Sequence, residues 1–157
     1  MNWINNIAII LAAFMFMEFV AWFTHKYIMH GVGWLLHKDH HMQTGKTFEF
    51  NDLFALIFAL PSIVLIVLGS TSGFDYRSMI GMGVALYGFS YFLFHDVLVH
   101  KRLHLFHHMN NKYFKAVISA HLDHHKGKKN YGFLFMFPWK YFKKENELTF
   151  YFWNPQK

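Results

Sequence analysis

Four histidine clusters carry the chemistry of this sequence. His25 and His30 stand five residues apart, as do His95 and His100. His37, His40 and His41 stand at i, i+3 and i+4, and His121, His124 and His125 repeat that spacing. On an α-helix the second pattern falls within an arc of about 100°, so three imidazoles can meet one metal region. The first pattern turns by about 140° at 3.6 residues per turn. Its two members do not share an α-helical face: they flank a metal pair, or the helix ends between them. Gly31 and Gly33, just after His30, favour an ending there.

Ten such histidines are too many for one metal. Divided between two, they give about five each and leave a position open for a small ligand in six-coordinate geometry. There is no cysteine, so thiolate zinc sites, Fe–S clusters and disulfides are excluded. Imidazole suits iron, zinc, copper and nickel alike, so function must choose the metal; iron activates dioxygen and zinc is redox-silent. Asp39, Asp96 and Asp123 lie inside or beside the motifs and are candidate partners for the second ring nitrogen of a ligand; solvated helix faces or caps are their plainer reading. Glu18 precedes His25 by seven residues, on the same helical face and about 10 Å deeper, where an acid is a functional candidate; a hydrogen-bonded packing role is its alternative. His104, His107 and His108 repeat the His-x2-His-His spacing, either as further ligands or as a basic interfacial patch.

The elements that must position these residues are apolar. Hydrophobic residues make up 54% of the chain and charged ones only 15%, which points to a membrane protein. One run extends from about Ile4 to Phe23, long enough to cross the hydrocarbon layer, and reads as a retained span rather than a cleaved signal peptide. A second, Leu53 to Leu68, contains Pro61; a third, Met79 to Phe94, contains Gly81, Gly83 and Gly88, small enough to admit a neighbouring helix closely. Gly69 to Gly73 joins these two as a hairpin. The expected fold is an all-α integral membrane bundle: three clear spans, room within 104–142 for a fourth short or re-entrant helix, and a His-rich di-metal cap. The whole of 1–157 reads as a single membrane-embedded domain. The aromatic stretch from Tyr131 to Trp153 suits the headgroup level or a dip into the leaflet.

With three spans, 24–52 and 95–157 share one side. Fourteen of the fifteen basic residues lie there and only Arg77 lies opposite. The positive-inside rule puts that side, and the histidines, in the cytoplasm, which for a bacterial chain means the inner membrane. The formal charge of +6 thus suits lipid headgroups or an acidic protein; interleaving with spans and metal motifs argues against nucleic acid.

At this point the residues resemble a known family. His-Lys-Tyr-Ile-Met-His-Gly-Val-Gly-Trp (25–34), His-Lys-Asp-His-His (37–41), Phe-His-Asp-Val-Leu-Val-His-Lys-Arg (94–102) and Ala-His-Leu-Asp-His-His (120–125) are similar to the carotenoid 3-hydroxylase branch of the fatty acid hydroxylase/sterol desaturase superfamily. The likeness runs from about Glu18 to Pro138. It implies a di-iron, O2-dependent monooxygenase that hydroxylates the β-ionone rings of a carotenoid drawn from the bilayer, at C3 and C3′, with electrons from ferredoxin or a similar acidic carrier. It implies His25, His30, His37, His40, His41, His95, His100, His121, His124 and His125 as the iron ligands. A sterol or fatty-acyl hydroxylase or desaturase is the enzymatic alternative. A membrane metal-binding or transport protein is the non-enzymatic one, and it is disfavoured because the ligands lie beyond the span ends rather than at mid-membrane.

Overall fold

The computed structural model describes residues 2–42, 48–103 and 111–143. Among the described residues, three helical stretches are long and apolar enough to cross a membrane: Trp3–Val32, Phe50–Thr71 and Tyr76–Val99. The first is α1 (Trp3–Phe23), capped by the Asn2 side chain on the Asn5 amide and prolonged by a π-helical segment, Thr24–Val32. After the kink at Gly31 comes α2 (Trp34–His41). A short 3-10 turn, Phe50–Asp52, leads into α3 (Leu53–Thr71), which runs on through Pro61. Asp75 caps α4 (Tyr76–Tyr91) and is paired with Arg77, closing the hairpin. A second π-helical segment, Phe92–Val99, prolongs α4. Asn111 caps α5 (Lys112–His125), and a 3-10 turn spans Trp139–Lys143.

α4 is the centre of the bundle and packs against both α1 and α3. Its glycines permit this. A methyl group on Gly81 would lie 2.7 Å from the Ser62 carbonyl of α3, and one on Gly83 2.5 Å from the Ile10 carbonyl of α1. Only 17% of the apolar window in each of α1 and α3 is buried, and Leu11, Phe16, Leu60 and Val64 are exposed. That surface would aggregate in water and matches lipid.

α5 is a short fourth helix within the 104–142 stretch that had room for one, and the segment that follows it is not helical. Residues 131–137 are irregular and run in beneath α1, where Phe133 and Leu134 are buried with Met17 and Tyr87. Backbone at that depth must have its polar groups satisfied by protein when it is not helical; Glu18 supplies the acceptors. The aromatic tail beyond 143 lies outside the described residues.

Candidate metal centre

The π-helical segments after α1 and α4, α2 and the C-terminal end of α5 converge, and their ten histidine side chains meet there. The pairs five residues apart are the first surprise. In a π-helix the hydrogen bond closes from i to i+5, so residues that an α-helix would splay by about 140° come one above the other. The His100 amide donates to the His95 carbonyl, 2.9 Å, in that pattern. The ring centroids of His25 and His30 are 5.1 Å apart, and those of His95 and His100 4.6 Å. Each pair therefore faces one way.

The histidines divide into two groups. His25, His30, His37, His41 and His124 offer nitrogens all within 4.8 Å of one another, and so do His40, His95, His100 and His121. His125 completes the second group at its edge, its Nε2 2.9 Å from that of His121. Both His-x2-His-His motifs are thus split: His37 and His41 serve one group and His40 the other, while His124 and His121 divide likewise. His104, His107 and His108 lie outside the described residues.

Acceptors behind the rings decide which nitrogens are bare. His40 Nδ1 lies 2.9 Å from the Glu49 carboxylate and His95 Nδ1 3.2 Å from Asp96. Each Nδ1 therefore carries the proton, and the two Nε2 lone pairs face each other at 3.0 Å. His37 Nδ1 donates to Asn51 at 2.7 Å, and His25 Nδ1 to the Tyr131 carbonyl at 3.1 Å. The buried Nε2 of His25 has no partner. Converging lone pairs without protons repel unless a cation lies between them. Two nitrogens bound at right angles to one ion at about 2.1 Å are about 3.0 Å apart, the spacing of His40 and His95 and of His37 and His41 (3.1 Å). The donor set fits a pair of transition-metal ions.

Burial also keeps these imidazoles neutral. It lowers His37, His41 and His100 to about 4, His124 to about 3 and His125 to about 2, and drives His40 and His121 further down. Neighbouring histidines add to the fall. A neutral imidazole is the form that binds metal.

The acids flagged in the sequence are placed unequally. Asp96 lies against an imidazole, that of His95. Asp39 accepts from the amides of His40 and Phe50 and so ties α2 to the 3-10 turn. Asp123 pairs with Lys128 at 2.7 Å and accepts from the Tyr141 hydroxyl. Glu18 belongs to neither histidine group, and its carboxylate is taken up by Tyr87 and four backbone amides. The second-nitrogen acceptors that sequence reasoning missed are Glu49, Asn51 and the Tyr131 carbonyl. Arg102 was missed as well: it binds Glu49 at 2.6 Å and Asp52 at 2.8 Å and lies 3.4 Å from Asp96, so one guanidinium organises the carboxylates behind His40 and His95.

A cavity of about 410 Å³ lies between α1, α3 and α4. Its walls are mostly apolar, with Met17, Phe58, Ala59 and Gly88 among them, and it reaches His25 of one group and His121 of the other.

Comparison with known proteins places the chain in a family of hydroxylases. The fatty acid hydroxylase family matches residues 10–143. The chain belongs to that family. It is 43% identical to the beta-carotene hydroxylase of Pantoea ananas over 88% of this chain and 81% of that protein. It is 42% identical to the beta-carotene hydroxylase of Pseudescherichia vulneris over 84% of this chain and 77% of the relative. A chloroplastic beta-carotene 3-hydroxylase of Haematococcus lacustris is 40% identical over 84% of this chain and 41% of its own length. No solved structure matches.

Proposed function

We propose that this chain is a membrane-bound, non-haem di-iron monooxygenase that hydroxylates carotenoid β-ionone rings at C3 and C3′, taking β-carotene through β-cryptoxanthin to zeaxanthin. The observation that carries the reading is the apolar cavity that ends on a histidine of each metal group. Its likeness to named beta-carotene hydroxylases chooses the substrate. His25, His30, His37, His41 and His124 would hold one iron and His40, His95, His100, His121 and His125 the other. Iron, when bound, supplies the activation of dioxygen that an unactivated C–H bond needs.

The chain's own residues bind and orient. Along α3 the lining runs from Phe54 to Ile66, about 18 Å of helix. That is shorter than a full-length carotenoid, so one ring and the adjoining polyene lie inside while the far ring stays in lipid. Phe133 and Tyr91 wall the end near His95 and keep water from the reacting carbon. Glu49, Asp96, Asn51 and the Tyr131 carbonyl hold the imidazole protons at Nδ1 and leave Nε2 for metal.

The lysines that share the histidine side favour a cytoplasmic face of the inner membrane. The same positive face suits an acidic electron carrier such as ferredoxin, drawn by electrostatic steering.

Pigment analysis tests the reading. The chain and its His124→Ala variant are expressed in a bacterium that accumulates β-carotene and has a competent electron donor. Zeaxanthin or β-cryptoxanthin should appear only with the unaltered chain. Unchanged β-carotene from a membrane-inserted, iron-loaded protein sinks the carotenoid assignment in favour of a sterol or fatty-acyl substrate.

A further inference from the structure

Glu18 sits inside the first apolar span and is only 2% exposed. A carboxylate there needs strong compensation. Its Oε1 accepts from the amides of Phe133 (2.9 Å), Phe135 (2.9 Å) and Met136 (3.0 Å). Its Oε2 accepts from the amide of Leu134 (3.0 Å) and the hydroxyl of Tyr87 (2.7 Å). Four consecutive N–H groups thus converge on one side chain, an anion-binding nest whose anion is supplied by another helix. The turn is tight enough that a methyl group on Gly132 would fall 1.6 Å from the Met136 carbonyl oxygen.

The segment held in this way touches both metal groups. Just before the nest, the Tyr131 carbonyl accepts from His25 Nδ1, and the Tyr131 ring lies 5.3 Å from His30 and 5.2 Å from His124. All three histidines belong to the group of His25, His30, His37, His41 and His124. Two residues on, the Phe133 ring packs 5.5 Å from His95 and 5.9 Å from His121 of the other group. The two groups differ in what they take from the segment. The first takes a hydrogen bond that fixes the tautomer of a ligand. The second takes only a ring contact, because His40 and His95 rely on Glu49 and Asp96 instead.

We propose that Glu18 is a positioning residue: by gathering the amides of Phe133 to Met136 it holds the Tyr131 carbonyl on His25, and so sets the metal affinity of the His25 group in particular. This rests on the two-metal reading above. Glutamine at 18 keeps the shape but turns an N–H₂ toward the donor amides. Alanine at 132 opens the turn from the other side, without touching Glu18 or any histidine.

The test is titration of the purified, metal-free, full-length protein in detergent with Co(II), read by bound cobalt and its visible absorption. The unaltered chain should bind about two ions. Glu18→Gln and Gly132→Ala should each weaken one ion by about 10- to 100-fold, the usual consequence of losing a ligand's outer partner, and leave the other unchanged. Tyr87→Phe removes a hydroxyl donor but no amide and should leave both ions as they were. Should Glu18→Gln and Gly132→Ala fail to insert as helical protein, Glu18→Asp keeps the charge, draws it back by one methylene, and must show the same one-sided weakening. Two ions bound with unaltered affinity in all the variants that fold, or equal weakening of both, overturns the proposal. Fewer than two ions on the unaltered chain overturns the metal-centre reading itself.

Discussion

At the scale of single residues, the proposed centre would owe its metal affinity to the acceptors behind its imidazoles as much as to the imidazoles themselves. Glu49 is the clearest. It holds His40 through a 2.9 Å contact and is itself held by Arg102 at 2.6 Å. Burial pushes its carboxyl up and Arg102 pulls against that. Glu49→Gln should therefore lower the metal affinity of the His40 group by about 10- to 100-fold while leaving the His25 group intact. A titration that shows no selective loss refutes the assignment. Arg102→Lys should fail to restore what Arg102→Gln destroys. A single ammonium cannot reproduce the fork that spans Glu49 and Asp52. Metal content of the two variants, measured side by side, checks this.

At the scale of elements, the two π-helical segments convert a spacing into a site. Each accommodates the extra residue that brings histidines five apart to one face. Deleting Val99 should return the second segment to α-helical winding and rotate Arg102 away from Glu49 and Asp52. Membrane insertion should survive and bound metal should fall; full metal loading of the deletion would refute the part given to this segment in placing Arg102, since histidines four apart still share an α-helical face. The cavity is a second element with its own test. Space is open around the Gly88 side-chain position, which lines the cavity. Gly88→Leu should cut carotenoid turnover about tenfold or more, about 1.4 kcal/mol of lost transition-state binding, with metal content unchanged. The spans and the four motifs were legible in the sequence because hydrophobic runs and helical spacings are local signals. The pairing across motifs was not: His37 and His40 lie three apart yet serve different groups, and only the packing of α2 between both decides that. Glu49 and Asn51 sit in a connection with no period to read. The Glu18 nest links residues more than a hundred positions apart, so its donors, being backbone amides, leave no trace in residue type.

At the scale of the whole molecule, seven imidazoles outside the spans share one direction of shift, and that makes stability a function of pH. Burial holds His37, His41 and His100 near about 4, His124 near about 3, His125 near about 2, and His40 and His121 lower still, against an ordinary value of 6.5. Between those values and 6.5 the unfolded chain binds protons that the folded chain refuses. Stability then rises with pH across that interval and is lost on acidification. Above 6.5 both states are neutral and these groups contribute no slope. Glu49, whose carboxyl is pushed up, acts in the opposite sense, but it is one group against seven. Bound metal opposes the same protons, since ligands must be neutral to bind. The metal-free protein in detergent should therefore unfold at a temperature that is level between about pH 7 and 8 and drops steadily below about 6.5. The metal-loaded protein should hold its midpoint to lower pH and then release metal as it falls. Thermal unfolding followed by circular dichroism, with bound metal assayed at each pH, checks both halves. A metal-free midpoint that stays level down to pH 4 would mean that the imidazoles are not held neutral by burial, and the case for two preformed, proton-free ligand sets would go with it.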